Sequence, residues 1–174
     1  MHHRMPKLVS RIAWARANSH ASNMAVPHPL PNLARMLGYA GLLPQVAALA
    51  MLASGSIEHR NFAELLAITY AALIFSFLGA LWWGLAAAHG DRAPAWIWLA
   101  GVIPSLVALS VLLPWASGHL GTTPALFTLA LGIAGSALVD RRLDKLKLCP
   151  PGWTNFRLTL SVSLGSITAA CAIL

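Results

Sequence analysis

Between Leu65 and Ala88 the chain runs for 24 residues without one charged side chain. About 20 apolar residues in helical conformation cross the hydrocarbon core of a bilayer. A helix of this kind, apolar all round, is stable only inside a large core or inside lipid. The chain has 174 residues, enough for one compact domain. The rest of the sequence points the same way. Only 10% of residues are charged, against 57% hydrophobic. Soluble domains carry about 25% charged residues. Lipid is therefore the expected solvent.

Four further runs resemble the first. The expected spans are 33–53, 65–88, 94–115, 124–139 and 153–174, giving an all-α, polytopic, five-transmembrane-helix bundle. Pro94 and Pro124 open the third and fourth, since proline suits a first helical turn. Ser54 to Arg60 reads as a short polar connection, and Pro150-Pro151-Gly152 as a chain break. Pro44 and Pro104 fall inside spans and should kink them, because each removes a backbone donor.

Threading these five runs through a membrane places eleven of the twelve Lys and Arg residues on one side. Arg60 alone faces the other. Loops on the cytoplasmic side are enriched in Lys and Arg, so the N-terminus is expected inside and the C-terminus outside. Trp96, Trp98, Trp115 and Trp153 fall near expected interfaces, where indoles prefer to sit. The net charge of +7 does not imply nucleic acid, because the bases flank apolar spans and form no basic stripe with interleaved aromatics. The expected partners are the lipid bilayer and a larger membrane protein complex or a second copy of the chain. The expected location is a bacterial inner membrane or, alternatively, a mitochondrial inner membrane.

Residues 1–32 are a different material. Arg4, Lys7, Arg11 and Arg16 occur with no acid, as in a flexible basic tail, an interfacial segment or a transit peptide. Pro31 suits the start of the first helix.

Helices in lipid associate through small residues that let backbones approach. Ala72, Ser76, Ala80, Gly84 and Ala88 recur every fourth position in the second span. Ser161, Gly165 and Ala169 do so in the fifth, and Thr128, Gly132 and Ser136 in the fourth. These faces are expected to bring the three helices together. Such a stripe left facing lipid would instead favour docking to another protein.

Chemistry is sparse. The expected middle of the membrane holds no ionisable residue, which disfavours ion pumps and buried haem ligation. Glu58, His59, Glu64 and His119 match no metal-binding spacing, and no cofactor is expected. Glu64 lies at the expected start of the second helix, where a negative charge suits the helix dipole. Cys149 and Cys171 would stand roughly 33 Å apart on one helix, too far for a disulfide, which needs Cα atoms within about 7 Å.

Two constellations remain. Gln45, Trp82 and Trp83 are candidate contacts for a small lipophilic molecule, with structural packing as the alternative for the indoles. Gln45 would otherwise satisfy backbone freed by the Pro44 kink. On the inner face, Arg92, Asp140, Arg141, Arg142, Asp144 and Arg157 form a charge cluster. Asp140 and Asp144 repel at i,i+4, and contacts from Asp140 to Arg92 or Arg157 would relieve this. Carboxylates with bases could serve metal-assisted phosphoryl chemistry; an interfacial helix end is the simpler reading. The resulting function is a membrane protein without an evident catalytic site, structural or accessory to a larger complex. The alternatives are a lipophile binder or transporter, and an enzyme using the inner-face cluster.

The motifs Leu37-Gly38-Tyr39-Ala40-Gly41-Leu42-Leu43-Pro44, Ser76 to Gly84, Ile103-Pro104-Ser105-Leu106, Asp140-Arg141-Arg142 and Trp153 with Arg157-Leu158-Thr159 resemble the family typified by transmembrane protein 69. The resemblance covers Leu37 to Leu174 and implies a small multi-span inner-membrane protein without an assigned activity. The family often has His where this chain has Trp82, and Tyr where it has Thr154. A site built on that His would be absent here.

Overall fold

Hydropathy and helix propensity lead to one outcome in this computed structural model, which describes residues 30–174. The expected basic segment with Arg4, Lys7, Arg11 and Arg16 lies outside the described residues. Six α-helices follow in order: α1 Asn32–Ala40, α2 Leu43–Ala53, α3 Ile57–His89, α4 Ala95–Ala116, α5 Thr122–Lys145 and α6 Trp153–Ile173. Five stretches are long and apolar enough to cross a membrane, with α1 and α2 together making the first.

The first span is divided at Gly41-Leu42, just ahead of Pro44. Pro44 sits in the first turn of α2. It has no N–H for the carbonyl four residues earlier, that of Ala40, and its ring crowds that position. Helix α1 therefore ends at Ala40. The Tyr70 hydroxyl of α3 donates to the Gly41 carbonyl and pins the joint. The joint expected at Pro44 is thus a two-residue lapse in α-helical hydrogen bonding, through which the backbone stays right-handed helical.

Helix α3 starts at Ile57, eight residues before the apolar run begins, so the polar connection shrinks to Ser54–Ser56. At 33 residues it is roughly 50 Å long, well beyond the ~30 Å hydrocarbon thickness. Helix α4 continues unbroken through Pro104 and Pro114. Helix α5 outlasts the expected end at Val139 and carries the charge run to Lys145. The chain then reverses over Pro150-Pro151-Gly152. Gly152 adopts φ +80° there, a conformation that glycine takes without a steric cost.

The α5–α6 interface is the most extensive in the bundle, followed by α3–α4 and α2–α3. Two apolar clusters result. The larger gathers Ala48, Ile68, Phe75, Leu126, Leu129 and Leu164. The smaller surrounds Trp82 with Ala86, Ile97, Leu143 and Leu148.

Small residues set the close approaches, though only in part those expected. A Cβ on Gly165 would meet the Ala130 carbonyl at 3.1 Å, so α6 lies against the α5 backbone there. Gly132 leaves room for the Phe75 ring of α3. Ser136 and Ser161 face each other across the same interface, with their hydroxyls 3.2 Å apart. Ala169 is half-buried and Thr128 is exposed. On α3, Ala72 is buried and Ser76 half-buried, but Ala80, Gly84 and Ala88 are exposed. A Cβ at Gly84 would enter open space. The expected α3 stripe therefore leaves the bundle halfway along. The close α3–α4 approach uses Gly79 instead, whose Cβ would strike the Gly101 carbonyl. The spacing of small residues identifies a smooth face but not which part of it turns inward.

Candidate functional site

A buried polar knot ties α3, α5 and α6 together. Leu143 and Ala137, on either side of Asp140 in α5, are buried, and the same face carries the Asp140 carboxylate inward until it is 1% exposed. On α6, burial of Ser161 and Leu164 turns Arg157 to the same interior, where it is 6% exposed. The Arg157 Nε–H donates to Asp140 Oδ2 at 3.2 Å. The Trp82 indole Nε1–H of α3 donates to Asp140 Oδ1 at 2.9 Å. Each carboxylate oxygen thus has its own donor, on a different helix. A buried carboxylate requires this, because an unpaired charge out of water is far too costly. The Arg157 guanidinium also lies over the Trp153 ring, 6.0 Å from its centroid. That is at the outer limit of a cation–π contact.

The knot has unfinished valences. Arg157 Nη2 is buried with no hydrogen-bond partner among the described residues, as are Trp153 Nε1 and Thr154 Oγ1 in the same stretch of α6. Arg157 also forms part of the wall of a cavity of about 170 Å³ between the α1–α2 joint, α3, α5 and α6. Leu37, Phe77, Leu78, Ile133 and Leu160 make that cavity mainly apolar.

Of the six expected members of the inner-face cluster, the structure brings together only Asp140 and Arg157. Arg92, Arg141, Arg142 and Asp144 are exposed. Asp140 is therefore not part of a solvated helix end, although its charged neighbours are. In the following loop, burial first, and then the Asp140 and Asp144 carboxylates, push the Cys149 thiol up to about 12. It is a neutral thiol at physiological pH, and both cysteines are free.

Trp82 and Trp83, paired in sequence, part company in space. Trp82 is buried in the knot. Trp83 is half exposed, donates its Nε1–H to the Trp98 carbonyl at 3.0 Å, and packs edge-on against the Trp98 ring at 4.8 Å. Gln45 is fully buried, and neither amide atom has a hydrogen-bond partner among the described residues. It does not satisfy backbone freed by Pro44. It lines neither the cavity beside Trp82 nor the groove beside Trp83, so the three expected ligand contacts do not form one site.

At the other end, Glu64 lies two turns inside α3, not at its N-terminus, which corrects the capping role. Its Oε1 accepts from Arg60 Nε at 2.9 Å. Its Oε2 accepts from the Thr122 hydroxyl of α5, also at 2.9 Å. Thr122 in turn accepts the Trp115 indole N–H at 3.4 Å. Among the described residues, no three His, Cys, Asp or Glu side chains gather where they could hold a metal ion.

Sequence reasoning found the Asp140–Arg157 contact as one of two ways to relieve Asp140. It missed Trp82, whose link to Asp140 spans 58 positions. The available signal was a polar-tipped aromatic in an otherwise apolar span. A buried indole N–H needs an acceptor, and few acceptors existed.

No curated protein and no solved structure matches the chain. A family model described as "protein of unknown function (DUF3429)" matches residues 30–173. That match takes in all five candidate spans and both members of the buried ion pair, and the chain belongs to this family of unknown function.

Proposed function

We propose that this protein is a non-catalytic component of a larger membrane assembly, docking through the outer face of α3 and α4. The observation that supports this is the part of the α3 stripe left unused within the chain. Ala80 and Gly84 are exposed. With Gly101, Val102 and Ser105 they line an open groove of about 490 Å³ beside Trp83. Small residues let another helix approach closely, and close packing drives helix association where lipid supplies no hydrophobic force.

The test is gentle detergent extraction, affinity capture and mass spectrometry of the whole chain. A stoichiometric membrane partner, or a second copy, is expected. Gly84→Leu should abolish that association without unfolding the bundle, because the position faces open space. A chain that runs as a monomer with no stoichiometric partner overturns the reading.

The same proposal places the chain in a bacterial or mitochondrial inner membrane, with its N-terminus inside, on the strength of the distribution of Lys and Arg. Reporter fusions at the C-terminus test the orientation: an outward C-terminus is expected. Kinship with the transmembrane protein 69 group belongs to this proposal too, supported by the motifs around Gly38, Pro104 and Arg157.

A further inference from the structure

We infer that the cavity walled by Arg157 is a binding site for a neutral lipophilic molecule bearing a carbonyl oxygen. Three observations lead there. First, the cavity has about 170 Å³, enough for several methylene groups or a small ring, and it opens to the surface of the bundle, since Leu37 and Phe77 on its wall are exposed. Its wall is mainly apolar, so it suits a hydrocarbon body. Second, the wall includes a cationic side chain that is more than nine-tenths buried and whose Nη2 has no partner among the described residues. Among the described residues only its Nε is engaged, by Asp140, so the guanidinium on the cavity wall has N–H groups left to donate to a ligand oxygen, and a buried N–H without an acceptor is costly. The other polar group on the wall, Ser161, is already engaged with Ser136. Arg157 is therefore the donor left to orient a ligand.

The third observation is the charge balance. Asp140 already neutralises Arg157 across a 3.2 Å contact. A carboxylate or phosphate on the ligand would leave one net negative charge in a dry site, and burying an uncompensated ion is costly. A carbonyl supplies an acceptor without a charge. Acyl esters of membrane lipids and lipid-soluble quinones share this chemistry, an apolar body with a carbonyl at one end. The site is separate from the docking groove on α3 and α4 and does not depend on it.

The experiment uses the whole chain in neutral detergent micelles with two probes, a short-chain ubiquinone and methyl dibromostearate. Both quench indole fluorescence on contact, and Trp153 and Trp82 are close to Arg157 and its partner. Saturable quenching by at least one probe is expected. Quinone alone identifies a quinone-type ligand, and the ester alone an acyl ester. Arg157→Gln should weaken binding about tenfold, as for a lost hydrogen bond from a charged donor. Leu42→Phe fills the cavity and leaves the ion pair in place. It should weaken binding at least as much, and it decides the matter if the arginine variant does not fold. Absence of saturable quenching by either probe overturns the inference. So does quenching that is unchanged in the folded variants. Tighter binding of the dibromostearate anion than of its methyl ester overturns the assignment of a neutral acceptor.

Discussion

Asp140–Arg157 and Glu64–Arg60 are both carboxylate–guanidinium contacts, at 3.2 and 2.9 Å. They sit toward opposite ends of the bundle and each carboxylate also holds a second donor. By distance the Glu64 contact is the better one. By environment the order reverses. The Asp140 and Arg157 side chains are 1% and 7% exposed, whereas those of Glu64 and Arg60 are 21% and 54% exposed. Arg60 can replace its partner with water; Arg157 cannot. The shorter bond is therefore the dispensable one, and the longer bond is the one whose loss leaves a stranded charge. Bond length describes an interaction that exists, while burial sets the consequence of losing it.

That contrast can be broken most directly at Asp140. Asp140→Ala strands the Arg157 charge and the Trp82 indole together, and should cost about 3–5 kcal/mol. Helicity followed through a denaturing-detergent titration would measure it. The paired change Asp140→Leu with Arg157→Met should recover most of the loss, since a buried ion pair is often worth little more than well-packed apolar side chains. If Asp140→Ala costs no more than a change at Arg60, burial is not the deciding factor.

Trp82→Phe keeps the ring packing and deletes one donor. A hydrogen bond to a charged group contributes about 1.5–3 kcal/mol, so a loss in that range is expected from the same titration. Gln45→Leu sharpens the comparison from the opposite direction. Its buried amide has no hydrogen-bond partner among the described residues, and its removal should raise stability by about 1 kcal/mol, read as a higher unfolding midpoint. Arg60→Ala should have the smallest effect, below about 1 kcal/mol and reduced further by added salt.

Much of this architecture is legible in the residues. Hydropathy locates five spans because a membrane helix must be apolar over its full crossing. The same signal misjudges helix ends. Ile57-Glu58-His59-Arg60 reads as a connection because hydropathy reports the lipid-facing part of a helix, and α3 simply continues into water. Asp140 reads as interfacial for the same reason, although one charge can be buried where its neighbours Leu143 and Ala137 already face inward. The contact of Asp140 with Arg157 is within reach because the two flank one short loop. Trp82 is not, since nothing local indicates which of the remaining helices supplies its acceptor. The α3 stripe shows the limit of spacing: Ala72 and Gly84 belong to one sequence pattern, yet only Ala72 is buried.

The position of the ion pair across a single loop bears on how the chain enters a bilayer. Helices α5 and α6 are consecutive, and Asp140 and Arg157 are 17 positions apart. The two charges can therefore neutralise each other inside one helical hairpin before either leaves water. Inserted singly, each helix would carry an unpaired ion little more than one turn from its end, where the cost is below the roughly 2.5–3.5 kcal/mol of a helix centre but still unfavourable. Inserted as a hairpin, neither does. Helix α3 precedes both in the chain, so the Trp82 indole is already in place as the acceptor for which it waits is delivered. The last two spans would then partition together, and a truncation within α6 that removes Arg157 should leave α5 poorly inserted as well.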